Sequence, residues 1–66
     1  MSDLPYPWRF APGDLVYVRG WPMYETAKVT AWIQNRAFPH YLVVDYVGIE
    51  WLIAQIDLSS KPIPQV

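Results

Sequence analysis

Sixty-six residues suit one small domain, and the absence of cysteine rules out disulfides and thiolate metal sites. A lone histidine, His40, gives no basis for an imidazole-ligated metal, so neither a metal nor a cofactor is expected. With a formal net charge of -1 and five scattered cations (Arg9, Arg19, Lys28, Arg36, Lys61), the chain lacks the basic footprint that neutralises phosphates; nucleic acid is not an expected partner.

The opening Met-Ser-Asp-Leu-Pro-Tyr-Pro lacks the basic start and apolar stretch of a secretory signal. No apolar run reaches the roughly 20 residues of a membrane helix, and a cytoplasmic location is expected. Residues 1–9, with Pro5 and Pro7, read as an extended arm. Pro12-Gly13-Asp14 is a turn signal, with Asp14 accepting turn hydrogen bonds. Leu15-Val16-Tyr17-Val18 follows, giving a first strand over about 14–19. Gly20 and Pro22 punctuate a loop carrying Trp21 and Met23. A second strand, rich in β-branched and aromatic residues, spans about 24–34.

After a turn at 35–39, a nearly continuous apolar third strand spans 40–47, and Gly48 turns the chain into a fourth strand over 49–54. Ile49, Leu52, Ile53 and Ile56 also fit helical spacing. The stretch is short, follows a glycine turn and has no N-cap residue, which favours a strand followed by a 3₁₀ turn over 55–58. A short closing strand fits within 59–63, limited to an edge by Pro62 and Pro64. The expected fold is all-β: a small SH3-like barrel of four to five strands with a terminal 3₁₀ turn, occupying 10–63 and leaving a short tail at 64–66.

Strand side chains alternate between faces. Strict alternation puts Val16, Val29, Ala31, Ile33, Leu42, Val44 and Leu52 inside. It leaves Leu15, Tyr17, Trp32, Tyr41, Val43, Trp51 and Ile53 outside. Aromatics are 17% of the chain, and one so short has few other supports available, so self-association is the expected remedy. Tyr17, Trp32, Tyr41, Trp51 and Ile53 are the candidate interface residues. The competing reading has the arm, with Tyr6, Trp8 and Phe10, cover the outer aromatics. A second candidate site is a groove of Trp21, Tyr24, Asp45, Tyr46 and Glu50. Such a set suits a proline-rich peptide, or a methylated Lys or Arg held by aromatic faces and a carboxylate.

Pro12-Gly13-Asp14-Leu15-Val16-Tyr17-Val18 resembles the opening strand of SH3-like, KOW and Tudor domains. Ala31-Trp32, then Asn35, Pro39 and Tyr41, and Leu58 closing a one-turn helix, are similar to the small plasmid-encoded type II dihydrofolate reductases over about residues 10–58. The resemblance implies an SH3-like barrel, a homo-oligomer and an origin on mobile genetic elements. It does not carry the activity. The family's pore run Val-Gln-Ile-Tyr falls on Glu50, Trp51, Leu52 and Ile53, and its substrate-holding lysine falls on Val18, with Arg19 beside it. The expectation is a non-catalytic interaction module, with an altered-pore reductase as the alternative.

Overall fold

A computed structural model describes residues 7–34 and 37–64. The expectations for Tyr6, Asn35, most of the N-terminal arm and the tail residues 65–66 fall outside them. The described residues form β1 (Leu15–Val18), β2 (Ala27–Ile33), β3 (His40–Val44), β4 (Glu50–Ala54), a 3₁₀ turn (Gln55–Asp57) and β5 (Leu58–Ser59). The chain is all-β, and 49–58 resolves as strand plus 3₁₀ turn. The five strands make one antiparallel sheet in the order β4-β3-β2-β1-β5.

Turn chemistry sets the strand ends. Asp14 accepts the Ala11 N–H through Oδ2 at 2.9 Å, while its own N–H reaches the Ala11 carbonyl at 3.0 Å. Gly13 supplies the positive φ of 99° that this turn requires. The third strand stops at Val44, earlier than alternation suggested, because Asp45 to Gly48 close a turn through a Gly48 N–H to Asp45 carbonyl bond of 3.0 Å.

Among the described residues, seven make the core: Val16, Val18, Ala27, Val29, Tyr41, Val43 and Leu58, with Trp8, Phe10, Trp21, Trp32 and Ile53 packed against it. Val16 and Val29 stand as expected. Ala31, Ile33, Leu42, Val44 and Leu52 do not; they lie on the other face. For Ala31 and Ile33 the cause is a β-bulge; for β3 and β4 the register itself sets the face, since Val29 pairs with Val43 and Val43 with Trp51. Val29 pairs with Val43, but Ala31 pairs with Leu42, so Thr30 is an extra residue on β2. Its hydroxyl donates to the Leu42 carbonyl at 3.1 Å. One added residue swaps the faces of everything beyond it. Trp32 therefore turns inward beside Tyr41, and Ala31 and Ile33 turn outward. Cross-strand partners share a face, so Tyr41 with Ile53 and Val43 with Trp51 look inward, while Leu42 with Leu52 and Val44 with Glu50 look outward.

The reversed parity also corrects the interface set. Tyr41 and Val43 are fully buried, Trp32 and Ile53 pack on the core, and only Tyr17 keeps its expected outward place beside Leu15. Residues 8–10 do what the covering reading assigned to the arm. Trp8 stacks on Trp32 at 5.4 Å and meets Tyr41 edge-on at 5.3 Å; Phe10 meets Tyr41 edge-on at 5.6 Å. The Trp32 indole N–H donates to the Phe10 carbonyl at 2.7 Å. The buried Tyr41 hydroxyl accepts the N–H of Arg9 at 3.0 Å and of Phe10 at 3.3 Å, and donates to Gln55 Oε1. Gln55 also donates to the Pro7 carbonyl at 3.2 Å. One tyrosine thus ties the N-terminal strip, β3 and the 3₁₀ turn together.

Candidate aromatic–acidic site

At one edge of the sheet, the β1–β2 loop meets the β3–β4 hairpin. Gly20, with φ of 90°, completes a turn in which the Trp21 N–H donates to the Val18 carbonyl at 3.1 Å. Arg19 anchors the loop base: its N–H donates to the Asp57 carbonyl at 2.8 Å, and its guanidinium lies 3.4 Å from the Asp57 carboxylate. A second turn, from Pro22 to the Glu25 N–H at 2.9 Å, swings Glu25 to the same side as Trp21. On the hairpin, Gly48 with φ of 91° lets the chain reverse in three residues. Trp51 then emerges on the inner face of β4, beside Val43, and meets Trp21 edge-to-face at 5.7 Å and 70°.

Asp45 is the hub. Oδ1 accepts the N–H of Val47 at 3.1 Å and of Ile49 at 2.9 Å; Oδ2 accepts the Trp51 indole N–H at 3.0 Å. These bonds all favour the charged form. The Trp51 bond does most to hold the carboxyl below its ordinary 3.8; desolvation opposes it next, and the backbone donors of Ile49, Val47 and Gly48 add to the lowering. Asp45 is therefore an anion at neutral pH, pinned in place by the turn it organises. Its charge stands at the foot of the Trp51 ring.

The result is an open hollow of about 220 Å³ lined by Gly20, Trp21, Pro22, Glu25, Asp45, Tyr46 and Trp51. Tyr46, 80% exposed, forms its outer lip and shares a second, adjoining hollow with Tyr24, Glu25 and Thr26. Of the sequence-derived groove, Trp21, Asp45 and Tyr46 come together, and Tyr24 stands next door. Glu50 does not join them; it starts β4 on the outer face with its partner Val44. Trp51, placed by sequence in the interface set, belongs here. Glu25 was missed, although its position three residues after a loop proline, directly following Tyr24, could have flagged it.

The chemistry on offer is aromatic faces plus two carboxylates, with no nucleophile or proton relay. His40 sits in β3 with Nδ1 2.8 Å from the Phe38 carbonyl. Among the described residues, no three His, Cys, Asp or Glu side chains converge. Glu50, Trp51, Leu52 and Ile53 all lie in β4, and Val18 is buried in the core. No helix among the described residues is long and apolar enough to cross a membrane. No known protein family, curated protein or solved structure matches the chain.

Proposed function

We propose that this chain is a non-catalytic, SH3-like interaction module that receives a cationic side-chain head, a methylated lysine or arginine, in the Trp21–Trp51 hollow. The strand order β4-β3-β2-β1-β5, with a 3₁₀ turn before the last strand, is the order an SH3-like barrel requires and supports the architectural half of this reading.

The observation that carries the ligand half is the corner itself. Two indoles at 70° present two ring walls, Tyr46 offers a third, and the pinned Asp45 anion with Glu25 supplies the negative charge. A cation over an aromatic face gains about 0.5–2 kcal/mol, more as water leaves. A few such contacts together place a single head group at a Kd of about 0.1–1 mM. A hollow of about 220 Å³ takes one side-chain head, whereas a proline-rich segment needs a groove several residues long. That difference favours the cation over the polyproline ligand.

Titration with a trimethyllysine peptide and with its neutral isostere, carrying carbon in place of the ammonium nitrogen, tests the reading through tryptophan fluorescence. The cationic peptide should saturate the signal and the neutral one should not, and Trp51→Ala should abolish the response. Equal binding of the two peptides, or no saturable response to either, sinks the proposal.

A further inference from the structure

The two ends of the sheet are treated differently by the sequence. β5 is two residues long and is followed by Pro62 and Pro64, the usual way of blunting an edge. β4 is five residues long and contains no proline, lysine or bulge; Glu50 is its one charge. It pairs with β3 on one side, and among the described residues no strand lies on the other.

The direction of its free backbone groups follows from the bonds at the ends of the ladder. The Asp45 N–H donates to the Ile49 carbonyl at 3.0 Å, and the Gln55 N–H to the Pro39 carbonyl at 2.9 Å. Antiparallel ladders alternate, so Trp51 and Ile53 bond to Val43 and Tyr41. The N–H groups of Glu50, Leu52 and Ala54, and the carbonyls of Glu50 and Leu52, point away from β3.

We infer that β4 pairs with β4 of a second copy of this chain, antiparallel about a two-fold axis at Leu52. In that register Leu52 exchanges both its bonds with the partner's Leu52, and each Ala54 N–H meets the partner's Glu50 carbonyl, about four bonds in all. The side chains match as well. Leu52, 42% exposed, faces its own copy on the outer face. Trp51, 43% exposed, meets the partner's Ile53 on the inner face. Glu50 lies opposite Ala54, so the only charges on the strand are kept at opposite ends. A shift to a Trp51-centred register brings the two Glu50 side chains closer, which costs energy. The self-complementary pattern, apolar against apolar with the acids apart, is what selects a second copy as the occupant. The inference does not require the cation reading, although Trp51 takes part in both.

Sedimentation equilibrium of the full chain should give twice the 7.7 kDa monomer mass at micromolar concentration. Leu52→Pro removes an N–H that β3 does not use, so the fold should survive while the dimer dissociation constant rises at least about tenfold. Ala54→Glu sets carboxylates against Glu50 across the axis and should weaken the dimer similarly; adding Glu50→Lys should restore it. Circular dichroism confirms that each variant remains folded. A monomer at all micromolar concentrations overturns the inference, as does a dimer indifferent to Leu52→Pro. A dimer weakened by Ala54→Glu but not restored by Glu50→Lys overturns the register.

Discussion

Val43→Ala and Val44→Ala test the reversed parity of β3 with two adjacent residues of identical chemistry. Val43 is fully buried between Val29 on β2 and Trp51 on β4, whereas Val44 lies on the outer face between Lys28 and Glu50. Removing two methyl groups from Val43 forfeits about 1.6 kcal/mol of transfer free energy at about 0.8 per carbon. The cavity left in a core of seven buried residues raises this to about 2–3 kcal/mol, because neighbours on three strands cannot all collapse into it. Val44→Ala exposes little new surface and should cost less than about 1 kcal/mol. In a domain this small, each kcal/mol moves the melting temperature by about 4–8 °C. Urea unfolding followed by tryptophan fluorescence, at one fixed protein concentration so that association does not intrude, reads both variants directly. The expected outcome is a large midpoint shift for Val43→Ala and a small one for Val44→Ala, with unchanged slopes. Equal shifts, or the larger one at Val44, would mean that Val43 does not face the core as its pairing with Val29 requires.

Two further outcomes follow from the hydrogen-bond networks. Tyr41→Phe removes the hydroxyl that accepts from Arg9 and Phe10 and strands the half-buried Phe10 N–H, since only Arg9 retains Gln55 Oε1 as an acceptor. It should destabilise the fold by about 1–3 kcal/mol in thermal unfolding, with the fluorescence of Trp8 and Trp32 perturbed; no change would refute the clasp. The Asp45 carboxyl lies below its ordinary value when folded, so its contribution is present above the unfolded carboxylate range and is lost as pH falls through its folded value. Melting temperature recorded from about pH 5 to about pH 2 should therefore fall with acid in the native chain and fall less in Asp45→Asn. Parallel acid limbs in the two proteins would show that Asp45 does not hold the hairpin.

The elements were legible because their punctuation is strong. Gly13, Gly20 and Gly48 each sit where a positive φ is needed, and the turns at Pro12-Gly13-Asp14 and Gly48 bound strands of the expected type. Facing was not legible, for two physical reasons. A bulge has no period: nothing in Val29-Thr30-Ala31 announces that Thr30 is extra, and it inverts the faces of Ala31, Trp32 and Ile33. The run Tyr41-Leu42-Val43-Val44 is apolar at every position, so it contains no polar residue to mark the solvent face. Trp21, Asp45 and Tyr46 come together despite the parity error because loops, not strand faces, position them. Trp51 was assigned outward only because β4 inherited the wrong parity.

The corrected parity divides the aromatics of this chain into two groups, and the division bears on function. Trp8, Phe10, Trp32 and Tyr41 close on one another and satisfy their polar atoms internally, through Phe10 and Gln55. A ligand reaching the Tyr41 hydroxyl would first have to displace the Arg9 and Phe10 N–H groups and Gln55. Trp21, Tyr46 and Trp51 are arranged differently, around an open hollow. Their rings are held at an open corner by two glycine turns, and the polar atom that orients Trp51 is an anion. A tryptophan kept only for packing would be served as well by a neutral acceptor, which avoids concentrating negative charge beside an exposed ring. Holding a charged carboxylate against the indole edge makes the corner more attractive to a cation and less so to a neutral apolar guest. The two clusters draw on the same residue types, but only the second combines access, orthogonal ring faces and fixed charge. That is why the proposed ligand is assigned to it.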